Sequence, residues 1–213
     1  GPVPPIWGRT GGIWRDPIAL PGAVAAAAVT GLATGHDGFA AIATPSEAPG
    51  TLLWVSANGR YWAPVSLPGA DGIELTAVAG SPDGWMVFGS SNTPDGWQPA
   101  AWSVATLDGE WKTSPAPDLR VLDAQWLADE WVAVGTAPTG GQAVAVSADG
   151  TTWEGTPPFS TLPSTAVTNI VEFEPATAVA LIAYEGETVT RFDGDQLVPW
   201  TELPSVPDVT NPL

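Results

Sequence analysis

The stretch "TGLATGHDGFAAIAT" (30–44) lies over "TAVAGSPDGWMVFGS" (76–90), with Thr30 on Thr76 and Phe39 on Trp85. A chain that repeats itself at a fixed period must be read for the repeat before anything else. "DAQWLADEWVAVGT" (123–136) matches both after losing one residue, and "TNIVEFEPATAVALIA" (168–183) is a weaker fourth copy. The starts at 30, 76, 123 and 168 are separated by 46, 47 and 45 residues. The second half of each unit repeats as well: "WVSANGRYWAPVSLPG" (54–69), "WSVATLDGEWKTSPAP" (102–117), "AVSADGTTWEGTPP" (145–158) and "TRFDGDQLVPWTELP" (190–204). The segment "IWGRTGGIWRDPIALPG" (6–22) reads as one more second half with no first half before it.

Each unit predicts four short strands: a run of small residues, an alternating apolar run, a third strand, a Gly-centred turn and a fourth strand ending in proline. Frequent Gly and Pro leave no room for a twelve-residue amphipathic helix. Small residues suit strands crowded around a central axis. A four-stranded antiparallel unit near 45 residues is what a β-propeller blade requires, because radial packing buries faces that one sheet would expose. The alternative, a β-sandwich of similar hairpins, explains four in-phase copies less well. The expected fold is therefore an all-β propeller in a single domain, 1–213. It comprises a hairpin at 6–22, blades at 23–69, 70–118, 119–160 and 161–204, and a C-terminal tail at 205–213. Closure through that tail gives about five blades with the closing blade incomplete; a truncated larger ring or closure by a partner chain are the alternatives.

Composition bounds the function. Six basic against twenty-three acidic residues leave a net charge of −17, which repels phosphate backbones and anionic lipid. No nucleic-acid partner and no direct membrane insertion are expected, since no apolar run approaches eighteen residues. The chain has no cysteine and one histidine, His36, which removes disulfides, thiolate metal sites and histidine clusters. Gly1-Pro2 reads as the remnant of tag cleavage, so the sequence is expected to be an excised piece whose anchor lies elsewhere.

The turn "VSADGTTWEG" (146–155) places Ser147, Asp149, Gly150 and Trp153 together, as a catalytic site would. Yet the pattern recurs as Ser56, Asn58, Gly59 and Trp62. It returns in decayed form as Asp108, Gly109 and Trp111, and as Asp193 and Gly194. Catalysis needs such a constellation once; these appear once per unit. An Asp or Asn before Gly accepts backbone N–H groups while Gly supplies a positive φ, so the motif is expected to lock a hairpin. The tryptophan is expected to pack between blades with its indole N–H on a carbonyl.

This pattern resembles the Asp-box, or BNR, repeat of sialidases, sortilin-type receptors and photosystem-assembly propellers. It covers about seven residues per unit, and Gly here follows Asp directly rather than after one residue. The resemblance implies a propeller found outside the cytoplasm, with the box between the third and fourth strands and away from the ligand face. Sialidase-type catalysis would need three arginines on one face, a tyrosine with a glutamate behind it, and an acidic proton donor. Of Arg9, Arg15, Arg60, Arg120 and Arg191, two fall inside box turns, and Tyr61 stands beside one, so too few remain.

Glycosidase chemistry would instead use paired carboxylates on first strands, for which Glu74, Asp123 and Glu172 are the candidates. Thr30 and Thr76 at the aligned position speak for plain solvation. His36-Asp37 is expected to be an ordinary Asp-Gly turn. No cofactor is expected; calcium is the metal that so many carboxylates would suit, though no D-x-D-x-D-G run is present. The ligand face should be built from the loops at 44–51, 90–98, 137–142 and 184–188, with connectors 66–74, 114–120 and 157–166. Trp97 stands out there as an anchor beside Asp95, with Glu47 and Glu187 making the face acidic. The expectation is a non-catalytic, extracytoplasmic recognition or scaffolding ectodomain, anchored to a membrane in the full protein. Through its loop face it would bind a protein partner, one of basic character being suited. The alternatives are a glycan-binding or glycan-cleaving module and an assembly chaperone for a membrane complex.

Overall fold

The computed structural model describes residues 5–6, 9–10, 13–14, 18–21, 28–44, 52–94, 96–127, 129–155, 166–174, 177–183, 189–193 and 196–199. Before Leu20 and beyond Gly155 it describes the backbone only. Within the segment read as a lone hairpin, β1 (Pro5–Ile6) pairs with β4 (Ile18–Ala19), and β2 (Arg9–Thr10) pairs with β3 (Ile13–Trp14) inside them. Four antiparallel four-stranded sheets follow, each a simple meander. The first holds β5 (Ala28–Gly35), β6 (Gly38–Thr44), β7 (Leu52–Ser56) and β8 (Ala63–Val65). The second holds β9 (Glu74–Gly80), β10 (Trp85–Thr93), β11 (Gly96–Val104) and β12 (Lys112–Ser114). The third holds β13 (Arg120–Leu127), β14 (Glu130–Thr136), β15 (Gln142–Ser147) and β16 (Glu154–Gly155). The fourth holds β17 (Ala166–Glu174), β18 (Thr177–Ala183), β19 (Val189–Asp193) and β20 (Gln196–Pro199).

The first strands lie side by side, β5 against β9, β9 against β13 and β13 against β17. A second strand such as β10 is therefore covered on both faces, and its apolar run has no polar alternation. The period of two sends Trp85 and Val87 towards the first sheet, where they join Ile42 and Leu53. It sends Met86 and Phe88 towards the third sheet, where they meet Val121, Ala133 and Ala145. A further cluster joins Leu20 to Ala41, Ala43, Trp54 and Trp62 on the other face of the first sheet. Each fully buried side chain such as Ile42, Met86 or Phe88 contributes about 1.5–3 kcal/mol relative to exposure. The sheets are not closed into a ring: among the described residues β5 and β17 form no packed pair, and Ala28, Thr30, Leu32 and Thr34 on one face of β5 are exposed. The architecture is all-β and propeller-like.

Every first strand carries a β-bulge at the same place. The ladder skips Thr30 between Val29 and Gly31, Thr76 between Leu75 and Ala77, Leu122 between Val121 and Asp123, and Thr168 between Val167 and Asn169. A bulge adds local twist, and a set of radially packed sheets needs that twist at equivalent points. The bulges also correct the repeat. Counted from them, the units begin at 30, 76, 122 and 168, and 76 − 30, 122 − 76 and 168 − 122 all equal 46. The third unit has lost no residue, and the partner of Thr30 and Thr76 is Leu122. Asp123 occupies the place of Gly31 and Ala77, so the aligned threonines give no guide to its role.

Candidate functional site

The Ser-x-Asp/Asn-Gly turns are closed hydrogen-bond devices. Ser147 Oγ accepts from Gly150 N at 2.9 Å and donates to Asp149 Oδ1 at 3.1 Å. That same Oδ1 accepts the N–H groups of Thr151 and Thr152, each at 2.7 Å. These N–H groups, Thr152 first, hold the Asp149 carboxyl far below the usual carboxylate range. Asn58 does the same for Arg60 N and Tyr61 N at 2.8 and 3.1 Å, and Gly59 and Gly150 both take φ of 70°.

The middle copy differs. Val104 stands where Ser56 and Ser147 stand, and its turn takes one residue more to reach Trp111. Gly109 N therefore donates to Thr106 O at 2.8 Å, Gly109 lacks a positive φ, and Asp108 is exposed. Of the later pair, Asp193 is described by its backbone in β19 and Gly194 lies outside the described residues.

The indoles are distributed differently from the sequence expectation. Trp153 does cross between sheets, donating to Pro115 O at 3.1 Å and meeting Phe88 edge-on at 5.7 Å. Trp62 instead donates to Gly59 O in its own turn, and the buried Nε1 of Trp111 has no partner among the described residues. The recurrent clasp is made by third-strand tryptophans: Trp54 donates to Pro21 O and Trp102 to Pro68 O, both at 2.8 Å. Each carbonyl belongs to the Leu-Pro-Gly that ends the preceding unit, a regularity visible in the sequence.

Asp37 is a second clasp. Its Oδ1 accepts from Trp85 Nε1 and its Oδ2 from Leu107 N, each at 2.7 Å, across the gap between the first and second sheets. Burial alone would raise its pKa, but the Leu107 and Trp85 donors, with His36 beside it, hold it below the ordinary value. His36 Nδ1 lies 3.1 Å from Ser81 O on the same neighbour. The His-Asp pair thus fastens two sheets together.

Two places are candidates for binding, a cleft and a surface patch. The cleft, of about 340 Å³, lies where three first strands meet and is lined by Leu32, Thr34, Val78, Asp123, Gln125 and Trp126 among others. It holds a single carboxylate from the described residues, Asp123, whose Oδ1 accepts Ala124 N at 2.8 Å. Glu74 begins its strand, away from the cleft, with Oε2 3.7 Å from Arg120 Nη2. Glu172 lies in β17 opposite Ala178. The geometry therefore brings no carboxylate pair together among the described side chains.

The other candidate is a surface patch. Trp97 belongs to β11, paired with Asn92, rather than to a loop, and is 39% exposed. The Arg120 guanidinium of the third sheet stacks 4.0 Å above its ring, with Glu74 as the ion-pair partner. Arg120 Nε, together with Ser90 Oγ opposite Glu74 and Gln142 Oε1 opposite Thr136, is buried without a hydrogen-bond partner among the described residues. Asp95, Glu47 and Glu187 lie outside the described residues. Arg120 was missed as part of this face, although one of six basic residues in so acidic a chain is a signal. Among the described residues no three metal-ligating side chains converge.

No family model and no curated protein matches this chain. Among solved structures it is similar to a Trypanosoma rangeli sialidase, with a TM-score of 0.56 and 13% identity, over 92% of this chain and 40% of that one. A DUF4784 family protein from Bacteroides caccae gives a TM-score of 0.41 and 15% identity, over 92% of this chain and 55% of that one. The first likeness shows a sialidase-like fold, and the chain spans 40% of the length of that sialidase.

Proposed function

We propose that this chain is a non-catalytic recognition module, an extracytoplasmic propeller-like ectodomain that holds a protein partner at the face carrying Trp97. The observation that supports the reading is the exposed Trp97 ring beneath the Arg120 guanidinium. Tryptophan and arginine dominate interface hot spots, and truncating such an anchor costs about 2 kcal/mol or more of binding. The net charge of −17 steers a basic partner towards the domain. In this reading the hairpin at 6–22 and the tail at 205–213 complete a fifth, incomplete blade. Deleting residues 205–213 should then lower Tm by several degrees, and an unchanged melt counts against closure.

Capture of surface proteins from the source cells separates the alternatives. Trp97→Ala and Arg120→Ala should each abolish capture, while Asp123→Ala leaves it intact. A glycan-binding or glycan-cleaving role is the second reading, favoured by Asp123 and Trp126 lining the cleft between first strands. Turnover of an aryl glycoside that disappears with Asp123→Ala would overturn the non-catalytic reading.

A further inference from the structure

We propose that the notch between the second and third sheets, at the end where the Ser-x-Asp-Gly turn lies, is a binding site for a small organic ammonium cation. The equivalent notch between the first and second sheets is filled. There the longer turn carries Leu107 inward to 7% exposure, and Asp37 spends both carboxylate oxygens on Leu107 N and Trp85 Nε1. One unit later the turn is a residue shorter, and Ala148 lines the notch. Asp83, the counterpart of Asp37, makes no carboxylate hydrogen bond among the described residues, and Trp131 stands where Trp85 stood. What remains is a cavity of about 330 Å³, at the small end of the roughly 300–1,000 Å³ that ligand pockets occupy.

Its walls select the ligand. Met86 and Trp131 are buried and apolar, and half-buried Trp126 meets Trp131 edge-to-face with centroids 5.2 Å apart. Asp83 supplies a carboxylate with no hydrogen bond among the described residues, Asp149, whose oxygens are held by Ser147, Thr151 and Thr152, adds its negative charge, and no lysine or arginine is among the lining residues. Indole rings attract a cation through their quadrupole, and carboxylates at the mouth complete the charge. The N–H groups of Thr151 and Thr152 keep Asp149 ionised, and three seryl residues, Ser81, Ser103 and Ser114, add polar lining. An anion is repelled, and a neutral molecule leaves the Asp83 carboxylate without a counter-charge.

Calorimetric titration of the full chain with choline, and with its uncharged isostere 3,3-dimethylbutanol, tests the site. Choline should bind, and the isostere at least about tenfold more weakly. Trp126→Ala and Asp83→Asn should each cut choline affinity about tenfold, and Ala148→Leu, which puts a larger apolar side chain on the lining of the notch, should abolish it. Trp97→Ala should change nothing, which separates this site from the proposed partner face. A trimethyl-lysine peptide binding more tightly than choline assigns the cation to a protein side chain, and the reverse assigns it to a free metabolite; both support the site. Equal affinity for the isostere, no choline binding up to about 10 mM, or binding untouched by Asp83→Asn and Trp126→Ala would overturn it. Asp83 is exposed, so its substitution decides the matter even where Ala148→Leu lowers the melt.

Discussion

Replacing Asp37 by alanine isolates the clasp between the first two sheets. The substitution removes two acceptors, each 2.7 Å from its donor. Trp85 is 1% exposed and Leu107 7%, so neither N–H readily finds water instead. Hydrogen bonds to a charged group contribute about 1.5–3 kcal/mol each. The Asp37 side chain is itself 24% exposed, which favours the lower end. The expected loss is thus about 3 kcal/mol, or about 6–12 °C in Tm for a domain of this size. Urea unfolding followed by tryptophan fluorescence measures it directly. Asp83→Ala is the internal control: the same place in the next unit, no carboxylate hydrogen bond among the described residues, and an expected change within about 0.5 kcal/mol. Acidity gives a second readout. Because the folded pKa of Asp37 is lowered, its contribution is complete above the ordinary carboxylate pKa of about 4 and is lost as pH falls through the lower folded value. The gap between wild type and Asp37→Ala should close in acid. Equal stability of Asp37→Ala and Asp83→Ala at neutral pH would refute the reasoning.

Other perturbations contrast positions that look alike in sequence. Trp102→Phe strands the Pro68 carbonyl and should cost about 1–3 kcal/mol, whereas Trp111→Phe removes a buried N–H that has no partner among the described residues and should be neutral or stabilising in the same urea titration. Gly150→Ala combines a φ of 70° with a Cβ only 2.9 Å from Met86 Sδ and 3.2 Å from Trp131 Nε1. Gly69→Ala meets the same strain, φ 68°, in open space. Both should lower Tm, Gly150→Ala by about 1 kcal/mol more than the roughly 1 kcal/mol of left-handed strain that Gly69→Ala carries. Removing the Arg120 side chain, which makes one half-exposed ion pair and one ring stack, should change stability by no more than about 1 kcal/mol, so that lost capture by Arg120→Ala reports binding.

Sequence alone determined the strand-rich, repeating character of this protein, because hairpin turns and apolar runs are local signals and four copies reinforce one another. It likewise placed Ser147, Asp149 and Gly150 in a self-contained turn, since every partner in that device lies within five residues. Tertiary structure decided the rest. The register of the third unit depends on a bulge, which is visible only when two strands are paired, and it moves Leu122, not Asp123, into line with Thr30 and Thr76. The clasps from Trp54, Trp102 and Asp37 join atoms 33 to 70 residues apart, and no local pattern states which indole reaches which carbonyl. The meeting of Trp97 with Arg120 belongs to the same class: the two residues come from different sheets, and only the packing of those sheets sets one over the other.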